Sequence, residues 1–93
     1  MTPIELKFVK FSGERYTTNS RNYYNKLLLE LLNDYITVCP DIRIGQILSN
    51  CIPNIENLFY MESDLIIKYI IINIKSHPDL FNNKIDLSKY EQI

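Results

Sequence analysis

The feature that most constrains the fold is a stripe of apolar residues that ends at a proline. Tyr24, Leu28, Leu31, Tyr35 and Val38 recur at spacings of 4, 3, 4 and 3, and Pro40 follows. That spacing places the five side chains on one face of an α-helix. Leu27 and Leu32 widen the face, while Asn22, Lys26, Asn33 and Thr37 cover the opposite side. Asn19 or Ser20 can accept hydrogen bonds from the unpaired N–H groups of a first turn, so the helix is predicted to start there. Pro40 lacks an N–H and disfavours helical geometry in the residue before it, so the helix is predicted to stop short of it.

The same reasoning predicts two further helices. From Asp41 or Ile42 to Cys51, the positions Ile44, Ile47, Leu48 and Cys51 form a face expected to meet the first helix. Gly45 costs about 1 kcal/mol relative to Ala in a helix, and a close approach of a neighbouring backbone is the expected compensation. Pro53 ends this element, and residues 54–60 are expected to form a connector that turns Ile55, Leu58 and Phe59 inward. A third helix is predicted from Met61 or Glu62 to about Lys75, with Ser63 and Asp64 as its start signals. Its run Leu65–Ile72 is β-branched enough to suit a buried strand. The acidic start and the absence of a turn signal favour the helix. Being apolar almost all round, it should be central. Leu80, Phe81, Ile85, Leu87 and Tyr90 are expected to form one or two short helices after Pro78.

The N-terminus follows another period. Ile4, Leu6 and Phe8 alternate with Glu5 and Lys7, Val9 and Phe11 take the opposite parity, and Ser12–Gly13 suits a turn. The expectation is a mainly α domain of three to four helices with an N-terminal β-hairpin or extended arm. Residues 1–18 would be the arm and 19–93 the helical domain, in a single globular unit.

Composition narrows the function. The 93 residues carry a net charge of −1, which excludes a strongly basic nucleic-acid binder and an acidic DNA mimic. At 46% hydrophobic and 23% charged residues, disorder is the wrong class. Fifteen Ile and ten Asn with no Ala follow AT-rich codon usage, so part of the isoleucine content reports mutation bias. The longest apolar stretch, Leu65 to Ile74, contains Lys68 and Asn73 and falls short of the ~20 residues of a membrane span. With no secretory signal after Met1, the expected location is the cytoplasm of a bacterial host cell, with Cys39 and Cys51 reduced.

No catalytic or metal-binding set emerges. His77 is the one histidine, and with Cys39 and Cys51 it lacks metal-ligand spacing or a third catalytic partner. No cofactor is expected, and the chain reads as a non-enzyme. Glu56, Glu62 and Asp64 surround a predicted helix start, where they are expected to complement its dipole and stay solvated. Arg43, Gln46 and Asn50 form a polar stripe on the second helix, rich in donors and acceptors. This stripe suits either a partner contact or an internal tie, with Arg43 meeting Asp64 or Asp41.

A resemblance enters at these residues. Pro40, Arg43, Gly45, Gln46 and Asn50, followed by Phe59–Tyr60 and the acidic helix start at Glu62 and Asp64, resemble the pattern of a family of short uncharacterised proteins. That family occurs in bacteria and their phages. The likeness covers roughly residues 24 to 74 and implies a compact helical unit, with no activity to carry over.

Charge is unevenly spread. Residues 1–26 hold five Lys or Arg against two acids, and residues 27–93 hold five against nine. Basic residues interleaved with Phe8, Phe11, Tyr16, Tyr23 and Tyr24 suit phosphate binding with base stacking, although three net charges supply a weak, salt-sensitive attraction. The same arm could join a partner's sheet edge or fold back onto the helices.

The leading expectation is a phage- or mobile-element-encoded protein-binding module. It would inhibit a bacterial defence protein, such as a nuclease or effector, by steric occlusion or conformational locking, in the manner of an anti-CRISPR protein. The contact residues would be Lys7, Lys10, Phe11, Arg15, Tyr16, Arg43, Gln46, Asn50, Tyr60 and Asp64. The alternatives are a small nucleic-acid-binding regulator and an oligomeric assembly protein.

Overall fold

A computed structural model describes residues 18–91 of the chain. The predicted N-terminal hairpin or arm falls almost wholly outside them. Among the described residues the fold is helical: α1 spans Thr18–Val38, α2 Ile44–Cys51, α3 Ser63–Lys75 and the single turn α4 Pro78–Phe81. A 3₁₀ helix, Ile55–Tyr60, links α2 to α3.

The predicted stripe of α1 faces the core. Leu27, Leu31, Leu32 and Tyr35 are buried, and Leu28 and Val38 pack against them. The stripe meets α3, which also receives α2 and α4 and so lies at the centre. Ile66, Ile67, Ile70, Ile71 and Ile74 of α3 are buried, whereas Lys68, Ile72 and Lys75 form its outer edge. Five isoleucines are tolerated in a helix because β-branching costs only tenths of a kcal/mol per residue, while each buried side chain contributes about 1.5–3 kcal/mol. The strand alternative is thereby settled in favour of the helix.

Polar groups fix the register of the packed helices. The Tyr35 hydroxyl on α1 donates to Asn73 Oδ1 on α3 at 2.8 Å, and its ring meets Phe81 edge-on at 4.9 Å. After α4 the chain turns through Asn82 and Asn83, both in the left-handed region that asparagine tolerates. Of the one or two short helices expected after Pro78, α4 forms, and residues 82–91 follow as turns. Side chains hold this tail: Ile85 and Tyr90 are buried, and the Tyr90 hydroxyl donates to Asp34 on α1. Lys89 bridges Glu30 at 3.3 Å, and Lys75 bridges Glu91 at 3.2 Å.

Three expectations about α2 and the connector are corrected. The helix starts at Ile44 rather than Asp41 or Ile42, because Arg43 is extended and Gln46 Oε1 accepts its N–H at 2.8 Å. Ile44 is therefore a first-turn residue and is 51% exposed, leaving Ile47 as the fully buried anchor. Gly45 has open space where a Cβ would stand, so no neighbouring backbone approaches it. Ile55 and Phe59 point outward, and of the three connector residues expected inside only Leu58 packs against the core.

Candidate protein-binding surface

The outward turn of the connector follows from its helix type. Pro53 cannot extend α2, and Ile52 closes it by donating its N–H to the Leu48 carbonyl at 2.9 Å. The next six residues wind as a 3₁₀ helix, in which every third residue is stacked on one ridge. Ile55, Leu58 and Met61 share one ridge, from which Leu58 and Met61 meet the core while Ile55, at the start of the helix, is left 42% exposed. Asn54, Asn57 and Tyr60 share a second, and all three line a cleft of about 370 Å³. Glu56 and Phe59 fall on the third, away from the body, where Phe59 is 81% exposed. The Phe59 ring meets Tyr60 edge-on at 5.0 Å.

The far wall of the cleft is the first half of α3. Leu65 and Tyr69 line the cleft from α3, one turn apart, and Ile52, Pro53 and Met61 line it from the segments before that helix. Glu62 and Asp64 complete the lining. A cavity of this volume lies in the range of ligand and side-chain pockets.

The acidic residues do not stay solvated as expected. Glu62 receives the Arg21 guanidinium in a forked pair: Nε donates to Oε1 at 3.0 Å and Nη2 to Oε2 at 2.7 Å. The two side chains retain only 20% and 10% of their exposure, so this bond ties the start of α1 to the start of α3. Beside it, the Ser63 hydroxyl donates to Asn25. Asp64 is 5% exposed and accepts the Leu65 N–H at 2.8 Å. Only Glu56 is exposed, and Arg43 pairs with neither Asp64 nor Asp41. The tie anticipated at Arg43 is made by Arg21.

The predicted contact residues separate into three groups. Lys7, Lys10, Phe11, Arg15 and Tyr16 lie outside the described residues. Arg43, Gln46 and Asn50 are exposed on α2, with Gln46 engaged in starting the helix. Tyr60 and Asp64 both line the cleft, Tyr60 on its exposed rim and Asp64 in its floor. Ile55, Phe59, Asn57, Leu65 and Tyr69 were missed as surface residues. The period-three run Asn54, Asn57, Tyr60 after Pro53 was the signal that could have found them.

Burial and hydrogen bonding set the state of the groups with intrinsic reactivity. Burial pushes the Cys51 thiol up to about 11, so it holds its proton at neutral pH and offers no thiolate. Tyr35 is raised to about 12 by burial, assisted by the neighbouring cysteines. His77 is exposed and donates its Nδ1–H to the Asn73 carbonyl at 2.9 Å. Among the described residues, no three His, Cys, Asp or Glu gather as metal ligands, and no helix is long and apolar enough to cross a membrane. Compared with known protein families, curated proteins and solved structures, the chain matches none.

Proposed function

We propose that this chain is a non-enzymatic protein-binding module whose docking edge is Ile55, Phe59 and Tyr60 with the cleft behind them. The observation that carries the reading is Phe59, a large apolar ring that stands 81% exposed beside the cleft-lining Tyr60. Large aromatic side chains presented next to a pocket are the usual energetic anchors of protein interfaces. Ile44 and the α2 stripe Arg43, Gln46 and Asn50 add further exposed groups of mixed polarity, the composition expected of an interface rim.

The finer reading is an inhibitor, encoded by a phage or mobile element, of a bacterial defence nuclease or effector. Its support is the AT-rich codon usage and the Arg–Gly–Gln resemblance. With net charge −1 it would act by occlusion or by locking a conformation, over an interface of about 800 Å² per side.

Affinity capture with the full chain tests the reading. A single bacterial protein should be retained stoichiometrically, and Phe59→Asp should abolish its retention with the melting temperature unchanged. Equal capture by Phe59→Asp refutes the docking edge. Tight, sequence-selective binding of DNA or RNA at ~150 mM salt refutes the protein-binding reading and supports the nucleic-acid regulator.

A further inference from the structure

The tail after α4 makes its backbone hydrogen bonds locally and its contacts with the helical body through side chains. The Lys84 N–H donates to the Phe81 carbonyl at 2.6 Å, and the Tyr90 and Glu91 N–H groups both donate to the Leu87 carbonyl at 3.0 Å. Onto the body, Ile85 and Tyr90 are buried, Tyr90 completely. The Tyr90 hydroxyl donates to Asp34, and Lys89 lies 3.3 Å from Glu30 and 3.9 Å from Asp34. A cavity of about 280 Å³ remains at the junction, with Ile74 and Phe81 on the body side and Ile85 and Leu87 on the tail side.

The hinge of this tail opposes its own closure. Asn82 and Asn83 have φ of 37° and 60°, a left-handed backbone that costs any residue with a Cβ, asparagine less than most. Two such residues in succession fold the tail back onto the body that carries it. An extended hinge would relieve both and carry the tail away from that body. The vacated site on α1, with Asp34 and Glu30 at its edge, is shaped for one segment whose fit is on view, an identical tail.

We propose that this chain pairs with a second copy by exchanging residues 84–91, so that Tyr90 of each molecule fills the site beside Asp34 on α1 of the other. Every buried side chain, hydrogen bond and ion pair of the closed tail then re-forms between copies. Closed and exchanged forms differ in the hinge and in the entropy of association, and the straightened hinge favours the exchanged form. The exchange uses none of Ile55, Phe59 and Tyr60, and it stands apart from the docking reading above.

The test uses the full chain. Size-exclusion chromatography with light scattering at ~1 mM should resolve a dimer beside the monomer, in greater amount after brief exposure to urea and its removal. In a dimer formed from differently labelled copies, nuclear Overhauser contacts from the Tyr90 ring to the Asp34 side chain should run between molecules. Asn82→Val/Asn83→Val, which resists positive φ, should raise the association constant about tenfold, and Asn82→Gly/Asn83→Gly, which accepts it freely, should lower it. A native chain that stays monomeric before and after urea overturns the proposal, whether or not the valine variant folds. A dimer whose Tyr90–Asp34 contacts all lie within one molecule overturns it as well. Equal association of the native and glycine chains refutes the hinge as its driving force.

Discussion

The Arg21–Glu62 pair makes a quantitative prediction because it joins two helix starts that are 41 residues apart in sequence. Its forked N–H···O contacts lie between 2.7 and 3.1 Å, in a site where the carboxylate keeps 10% of its exposure. Hydrogen bonds to charged groups contribute about 1.5–3 kcal/mol net, more than the ~0–1 kcal/mol of exposed pairs. Removing one partner leaves the other desolvated, so Arg21→Met and Glu62→Gln should each cost about 2 kcal/mol. The double variant should cost about the same as either single one. A coupling of about 1.5–2 kcal/mol should therefore emerge from urea denaturation of the four proteins, followed by helical circular dichroism. In a domain of this size each single variant should lower the melting temperature by roughly 8–16 °C. Additive costs, with coupling below about 0.3 kcal/mol, would refute the view that this pair holds α1 to α3.

Two other outcomes follow from described groups. The folded-state pKa values of Tyr35 (about 12) and Tyr90, both raised chiefly by burial, exceed the ordinary 10.0. Their stabilisation is fully present below pH 10 and is lost as pH rises through the folded values. Denaturation midpoints should hold steady from pH 7 to about 9.5 and then fall, by up to ~1.4 kcal/mol per pH unit per tyrosine, with Tyr35→Phe giving a shallower fall. Gly45→Ala, with open space at the new Cβ, should raise stability by about 0.5 kcal/mol in the same urea assay; a loss would contradict the geometry of the α2 start.

The helical plan was legible where burial and period agreed. The Tyr24–Val38 stripe and Pro40 located α1 within a residue or two, and the isoleucine run read as a central helix because its length and acidic start outweighed β-propensity. In the connector, hydrophobicity alone does not say which apolar residues turn inward. A repeat of three, rather than 3.6, sends Phe59 away from the core while Leu58 enters it. The role of Arg21 is not legible locally, since Glu62 lies 41 residues away in sequence. Its pairing leaves the basic surface near α1 weaker than the local balance suggested. Arg43, Gln46 and Asn50 lie exposed on α2 as a polar stripe, and Gln46 Oε1 accepts the Arg43 N–H at the start of that helix.

The outer ridge of the 3₁₀ helix carries a consequence for how such a protein can change over time. Phe59 is 81% exposed and its ring meets that of the neighbouring Tyr60, so exchanging it should alter stability by no more than about 0.5 kcal/mol. Its backbone position is nevertheless held by Leu58 on one side and Met61 on the other, both anchored to the core. Substitutions at 59 are thus nearly free to the fold, while a one-residue insertion would rotate the ridge by a third of a turn and carry Tyr60 off the cleft. Variation that tracks a changing partner can accumulate at Phe59 by replacement, and selection against changes in length should be strict across Asn54 to Met61.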